Sequence, residues 1–163
     1  MKRIFRGAAA GTLATALMST VMVGARQLGH MGGMPPEKIT AKALRRSGIR
    51  PSAAQQDALA ILFHFGFGTA AGAAFGLVAP RRVVARVPMG MTYGAAIWGI
   101  SYMGWVPALG IMPRADRDRR DRQAVMLAGH LVYGTALALL VGARADDAAT
   151  DSERVATVPP SAS

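Results

Sequence analysis

Apolar residues in this chain are grouped into four stretches that carry almost no charge. They cover residues 7–25, 58–79, 87–106 and 123–143. A helix needs roughly 20 apolar residues to cross the hydrocarbon core of a bilayer, and each stretch is close to that length. The pattern therefore predicts an all-α, polytopic membrane protein, with four transmembrane helices forming a bundle over residues 1–143.

Polar residues between the first two predicted spans indicate a further, shorter helix. Residues 35–48 start with prolines and a glutamate, end with two arginines and are closed by a glycine, which are helix start and stop preferences. Because the apolar face is thin, two interpretations stay open, namely an amphipathic helix on the membrane surface and a solvated connecting helix. After it, Ser52 and Gln55 match a capping box that leads into the second span.

A repeated motif occurs in two of the predicted spans, as HFGFGTA at residues 64–70 and HLVYGTA at residues 130–136. In each copy a histidine precedes an aromatic residue by three positions, and Gly-Thr-Ala follows. Small residues recur at spacing four, which places them on one helix face where two backbones can approach closely within lipid. The residues predicted to pack helices in this way are Gly7, Gly11, Gly68, Gly72, Gly76, Gly134 and Gly142.

The two motif histidines are the candidate functional residues. His64 and His130 fall at similar distances from the starts of two spans that run in the same direction, so we predict one polar layer inside the bundle. A ring facing lipid would lack hydrogen-bond partners, at a cost of a few kcal/mol. The hydroxyl groups expected at the same level, as partners, belong to Ser19, Thr20, Ser101 and Tyr102.

Three interpretations of these histidines follow from the residues alone. They are neutral rings held by interhelical hydrogen bonds, ligands of a shared metal or haem, or groups that handle protons or ions. The first interpretation requires only the neighbouring hydroxyl groups. Substitution of His64 by asparagine distinguishes the hydrogen-bonded interpretation from the haem interpretation. The amide keeps a hydrogen bond, but the haem ligand is lost.

Composition and charge agree with membrane insertion. Of the 163 residues, 52% are hydrophobic and only 17% are charged, which is unusual for a soluble domain. The net charge is +10, and its Lys and Arg residues mark the ends of spans. This favours contact with anionic lipid headgroups over nucleic acid. The orientation in the membrane stays open, as do assembly into a homo-oligomer and binding to an unidentified membrane partner. Residues 144–163 are predicted to form a disordered acidic tail.

Groups suited to catalysis are scarce. The chain has no cysteine, no acidic residue inside the predicted spans, and neither a zinc-protease nor a serine-nucleophile motif. Residues 66–71 formally fit the dinucleotide-binding glycine pattern, but the strand and the acidic residue that it requires are missing. His30, Met31 and Met34 are too few to indicate a metal site. We therefore predict a non-enzymatic protein with no cofactor and no metal.

Four segments in order resemble a known family. They are GAAAGTLATALMS, MPPEKITAKALRRSG, YGAAIWGISYMGWVPALGIMP and AGHLVYGTALALL. The chain resembles the YagU-like family of small uncharacterised bacterial inner-membrane proteins. This resemblance implies a multi-pass protein of the bacterial cytoplasmic (inner) membrane without an established activity, and it supplies no catalytic residues. Two alternatives are kept, a haem- or metal-binding redox protein that uses the two histidines, and a small transporter or channel subunit.

Overall fold

The computed structural model describes the backbone of residues 1–156 and the side chains of residues 1–142. This part of the chain is helical and contains no strand, which confirms the predicted all-α class. Its elements are α1 (Lys2–Gln27), α2 (Pro35–Arg46), α3 (Ala53–Val78), α4 (Val83–Gly99), a π-helical segment (Ile100–Trp105), α5 (Val106–Ala108), a 3-10 turn (Ala115–Arg117) and α6 (Arg120–Ala156).

Three of the described helices are long and apolar enough to cross a membrane. They are α1, α3 and the part of α6 over Arg120–Gly142. The remaining predicted span, residues 87–106, is divided between α4, which has 17 residues, and the π-helical segment. The backbone leaves helical dihedral angles at Gly104, just before Pro107, whose ring cannot fit inside a regular helix. The count of four spans therefore stays a prediction.

Glycines bring two pairs of helices into close contact, α1 with α3 and α4 with α6. In the first pair, a Cβ atom added at Gly72 would lie 2.6 Å from the Cα of Gly11. In the second pair, a Cβ atom added at Gly90 would lie 2.7 Å from the Cβ of Ala138. Both distances are shorter than carbon atoms tolerate, so the two crossings require glycine. A third contact, between α1 and α6, joins the pairs.

The two pairs are copies of one arrangement. Gly11 lies against the carbonyl of Gly68, and Gly90 lies against the carbonyl of Gly134. Gly68 and Gly134 are the matching glycines of HFGFGTA and HLVYGTA. In both pairs the glycine contacts run in opposite directions along the two helices, so the second helix is antiparallel to the first. The sequence repeat is thus a repeat of a whole packing unit.

Arg86 on α4 interrupts this correspondence. It stands four residues before Gly90, as Gly7 stands four residues before Gly11, yet it carries a long cationic side chain. That side chain is only 4% exposed. Its Nε donates a hydrogen bond to the carbonyl of Ala138 at 2.7 Å, and Gly142 leaves the space that the guanidinium occupies.

Two arginines close the end of the bundle where α3 stops. Nη1 of Arg86 donates to the carbonyl of Arg81 at 2.8 Å, and Nη2 of Arg3 donates to the carbonyl of Ala79 at 2.6 Å. The last carbonyl groups of a helix have no partners within the helix, and cations there also interact favourably with the helix dipole. The N-terminus of α1 is therefore fastened to the C-terminus of α3.

Local capping signals define the helices at the opposite end. Ser52 and Gln55 form the predicted capping box at the start of α3. Glu37 accepts a hydrogen bond from the backbone N–H of Met34 at 3.0 Å and pairs with Arg26 at 2.9 Å, which holds the start of α2 against the end of α1. α2 packs on α3, so it lies over the bundle rather than apart from it.

The helix α6 is described to Ala156. The disordered acidic tail over residues 144–163 stays a prediction. Residues 157–163 lie outside the described part of the chain.

Candidate functional site

A cavity of about 260 Å³ lies among the helices, in the half of the bundle nearer to α2. Its wall is contributed by α1, α2, α3, α4, the π-helical segment and α6, and none of the side chains that line it is charged. An engineered apolar cavity of about 150 Å³ is already large enough to bind benzene. The cavity therefore has room for a small organic molecule.

Three of the aromatic side chains that line the cavity are also exposed on the outside of the helices. They are Phe63 and Phe67 on α3 and Trp105 after α4, which are 54%, 53% and 38% exposed, respectively. The neighbouring helices α3 and α4 meet at Tyr93, whose hydroxyl donates to the carbonyl of Ala71 at 2.9 Å. The cavity wall therefore reaches the apolar outer surface of the helices at these aromatic residues.

His130 contributes a hydrogen-bond acceptor to the cavity wall. Its Nδ1 lies 2.7 Å from the carbonyl of Met126, one turn earlier on α6. Because a carbonyl oxygen can only accept, Nδ1 of the neutral ring carries the hydrogen, and Nε2 is left with a free lone pair. Within the described residues no hydrogen bond reaches Nε2.

His64 lines the same cavity from α3. Its ring lies edge-on to Phe65, with 6.0 Å between the ring centroids. Neither ring nitrogen has a hydrogen-bond partner among the described residues. The structure thus brings the histidines of the two motif copies to one cavity.

Ser101 and Tyr102, two of the predicted partners of the histidines, also line the cavity. However, the hydroxyl of Tyr102 donates to Asp118, and Ser101 accepts a hydrogen bond from the indole nitrogen of Trp105 at 3.2 Å. Neither hydroxyl therefore serves a histidine.

The other two predicted partners lie away from the cavity. Ser19 donates to the carbonyl of Thr15 at 2.8 Å, and Thr20, which is exposed, donates to the carbonyl of Leu17 at 2.7 Å. Hydroxyl groups on helices commonly bond to the preceding turn in this way, which removes the need for an interhelical partner. His64, His130, Ser101 and Tyr102 thus line the cavity, whereas Ser19 and Thr20 do not.

The glycines predicted to pack helices divide into three groups. Gly7, Gly11, Gly68, Gly72 and Gly76 line the contact between α1 and α3, while Gly134 lines the contact between α4 and α6. Gly142 instead accommodates the guanidinium of Arg86. The glycines that complete the second contact, Gly90 and Gly94, were not among the predicted set, although their spacing of four was a signal for them.

Sequence reasoning also missed two aromatic residues of the site. Tyr133 is buried, and its hydroxyl donates to the carbonyl of Gly68 at 2.7 Å, which joins α6 to α3 across the wall. Trp98 also lines the cavity, and its buried indole N–H has no partner among the described residues. The only signal for Tyr133 was its place in the repeated motif.

Metal-binding groups are sparse in the described part of the chain. It contains no cluster of three or more His, Asp or Glu side chains able to hold a metal ion. Met31 is buried in the core whereas His30 is exposed, so the residues of the HMGGM segment do not converge. The cavity lining holds the imidazoles of His64 and His130 and the thioethers of Met18, Met22, Met112 and Met126 as side chains that could ligate a metal or haem.

These observations define an all-helical protein whose apolar helices suit a membrane environment and enclose an uncharged cavity. The chain belongs to the DUF1440 family of proteins of unknown function, and the family match covers residues 21–139. The matched range contains both cavity histidines and most of the cavity wall. No curated protein and no solved structure matches the chain.

Proposed function

We propose that this protein is a non-enzymatic, four-span membrane component that binds one neutral, mainly apolar molecule from the bilayer. The binding site is the cavity lined by His64 and His130. The observation that carries this proposal is an uncharged cavity whose lining includes three exposed aromatic side chains, beside which we propose that the ligand enters. A channel or transporter would instead need a polar path along the bundle axis.

Packing supports a fourth span. α4 lies along α6 through the Gly90 and Gly94 contacts, so it occupies the same layer as the three long apolar helices. At 1.5 Å per residue its 17 residues extend roughly 26 Å, and the π-helical segment adds to a core-spanning length of about 30 Å. The basic residues at both ends of the bundle would then meet anionic headgroups. Placement in a bacterial inner membrane is supported by the YagU-like resemblance.

The chemistry of the wall supports a neutral occupant. A charged group moved into an apolar cavity loses its hydration, and here no opposite charge lines the wall to replace it. An apolar molecule dissolved in the bilayer faces no such cost and would enter beside the exposed side chains of Phe67 and Trp105. No carboxylate lies in the described wall, which also favours binding over catalysis.

Haem or metal binding is a second candidate function, favoured by the free Nε2 of His130. His130 and His64 would hold the group between α6 and α3, and the bound group would supply redox chemistry. An absorbance spectrum and metal analysis of the purified protein test it directly. Loss of a haem spectrum in His64→Asn would support this candidate, whereas colourless and metal-free wild-type protein would reject it.

Fluorescence quenching tests the proposed function. The chain contains two tryptophans, and both line the cavity. In a Trp105→Phe background, protein in lipid nanodiscs is titrated with bromobenzene, which quenches an indole on contact. We expect saturable quenching of Trp98. Ile97→Phe, which narrows the cavity, should weaken it, whereas Met91→Phe on the exposed face of α4 should not. Non-saturable quenching that is equal in all variants would contradict a binding site.

A further inference from the structure

We infer that the molecule bound in the cavity carries a hydroxyl group that donates a hydrogen bond to Nε2 of His130. This inference rests on the proposed function and names the ligand class, which is a neutral alcohol or phenol attached to a hydrocarbon body. The juxtaposition that carries it is an imidazole with a fixed tautomer in an otherwise apolar, uncharged wall.

The tautomer follows from the helix itself. The Met126 carbonyl lies one turn before His130 and can only accept, so the ring hydrogen sits on Nδ1. Nδ1 faces the backbone of α6, and the opposite edge of the ring, which carries Nε2, therefore points away from that helix. His130 lines the cavity, so this edge is the part of the residue that an occupant meets.

A free acceptor in an apolar cavity selects among neutral ligands. A hydrocarbon would cover Nε2 without replacing its hydrogen bond, and an ether or ketone oxygen would place a second lone pair against it. A hydroxyl group donates to Nε2 and still keeps lone pairs. An ammonium group could also donate, but the described wall has no carboxylate to balance its charge.

The remaining polar groups of the wall also suit a ligand oxygen. The buried indole N–H of Trp98, which has no partner among the described residues, can donate to it. The ring of His64 has one donor and one acceptor nitrogen, and neither is used within the described residues, so it can donate to a ligand oxygen. Ser101 already accepts from Trp105 and is not needed for the interaction. One hydroxyl group can therefore donate to His130 and accept from His64.

Three probes with the same butylphenyl group distinguish ligands that donate a hydrogen bond from ligands that do not. They are para-butylphenol, which donates and accepts, para-butylanisole, which only accepts, and butylbenzene, which does neither. Binding is measured by equilibrium dialysis between nanodiscs with protein and empty nanodiscs of the same lipid, so that partition into lipid cancels. We expect the phenol to bind about tenfold more tightly than the anisole, as expected for one buried hydrogen bond.

Substitutions identify the acceptor. In His130→Phe the preference for phenol over anisole should fall to about onefold, whereas Met126→Leu, which changes the wall but keeps the backbone carbonyl, should preserve it. If His130→Phe does not fold, nitrogen NMR of isotope-labelled histidine in the wild type gives the same information. Addition of para-butylphenol, and not butylbenzene, should then shift the Nε2 resonance of one of the three histidines.

The outcomes distinguish the two proposals. Equal affinity for phenol and anisole in the wild type would overturn the hydroxyl inference and leave apolar binding in place. A tenfold preference that survives His130→Phe would also overturn it. If none of the three probes binds saturably, the proposed function fails as well, and the cavity is filled by ordinary lipid chains.

Discussion

The hydroxyl of Tyr133 donates a hydrogen bond to the carbonyl of Gly68 at 2.7 Å, and this contact joins the two copies of the histidine motif. The residue equivalent to Tyr133 in the first copy is Phe67, which has no hydroxyl and is 53% exposed. One aromatic therefore links α6 to α3, while the other lines the cavity and is exposed on the outer surface of α3. The two copies of the motif thus differ at their aromatic position.

Removal of this hydrogen bond should lower stability. Tyr133→Phe deletes the donor but keeps the ring, so the free energy of unfolding in detergent should fall by about 1 kcal/mol. The matched control is Phe67→Tyr, which adds a hydroxyl at the equivalent exposed position and should change stability by less than about 0.5 kcal/mol. If the two variants unfold at the same temperature, the contact does not stabilise the bundle.

The glycine contact between α1 and α3 should not tolerate even a methyl group. In Gly72→Ala the new Cβ would lie 2.6 Å from the backbone of Gly11, so the helices must separate, at a cost of about 1–3 kcal/mol. The control is Gly66→Ala on the same helix, where no atom lies within 4 Å of the added Cβ. Since alanine favours helix, that variant should be unchanged or stabilised by about 0.5–1 kcal/mol. Equal thermal stability of both variants would show that the close approach is not required.

The guanidinium group of Arg86, and not only its positive charge, should be required for stability. Arg86→Lys keeps the charge but cannot reach the carbonyls of Arg81 and Ala138 in the same geometry, so we expect a loss of about 2 kcal/mol or more. Arg82→Lys, at an exposed neighbouring position, should have little effect. Unfolding by denaturant in micelles measures both. An unaffected Arg86→Lys protein would mean that the buried hydrogen bonds contribute no net stability.

Cysteine labelling tests whether α4 crosses the membrane. The chain has no cysteine, so single substitutions can be labelled cleanly with an impermeant maleimide. The four-span arrangement places Lys2→Cys and Arg81→Cys on one side, and Ser47→Cys and Arg117→Cys on the other. Labelling of Arg81→Cys and Arg117→Cys from the same side would contradict the crossing of α4, whereas the other two positions control for α1.

Local features could be read from the chain because they depend only on neighbouring residues. The length of an apolar stretch, a spacing of four between small residues, and the capping box of Ser52 and Gln55 involve residues within a few turns of each other. These patterns were sufficient for the all-helical class and for the glycine face that includes Gly68 and Gly72. They also indicated that His64 and His130 are equivalent.

Only the tertiary structure decided which residues the glycine faces of the helices contact. Spacing cannot show that Gly90 pairs with Gly134, or that Gly142 makes room for Arg86, because both depend on the register between helices far apart in sequence. The partner of each polar side chain was likewise decided only in the structure. Thr20 donates to a carbonyl of its own helix, and Nδ1 of His130 lies against the carbonyl of Met126, because a carbonyl one turn earlier is within reach. The cavity is formed by residues of several helices that are far apart in sequence, so sequence spacing does not encode it.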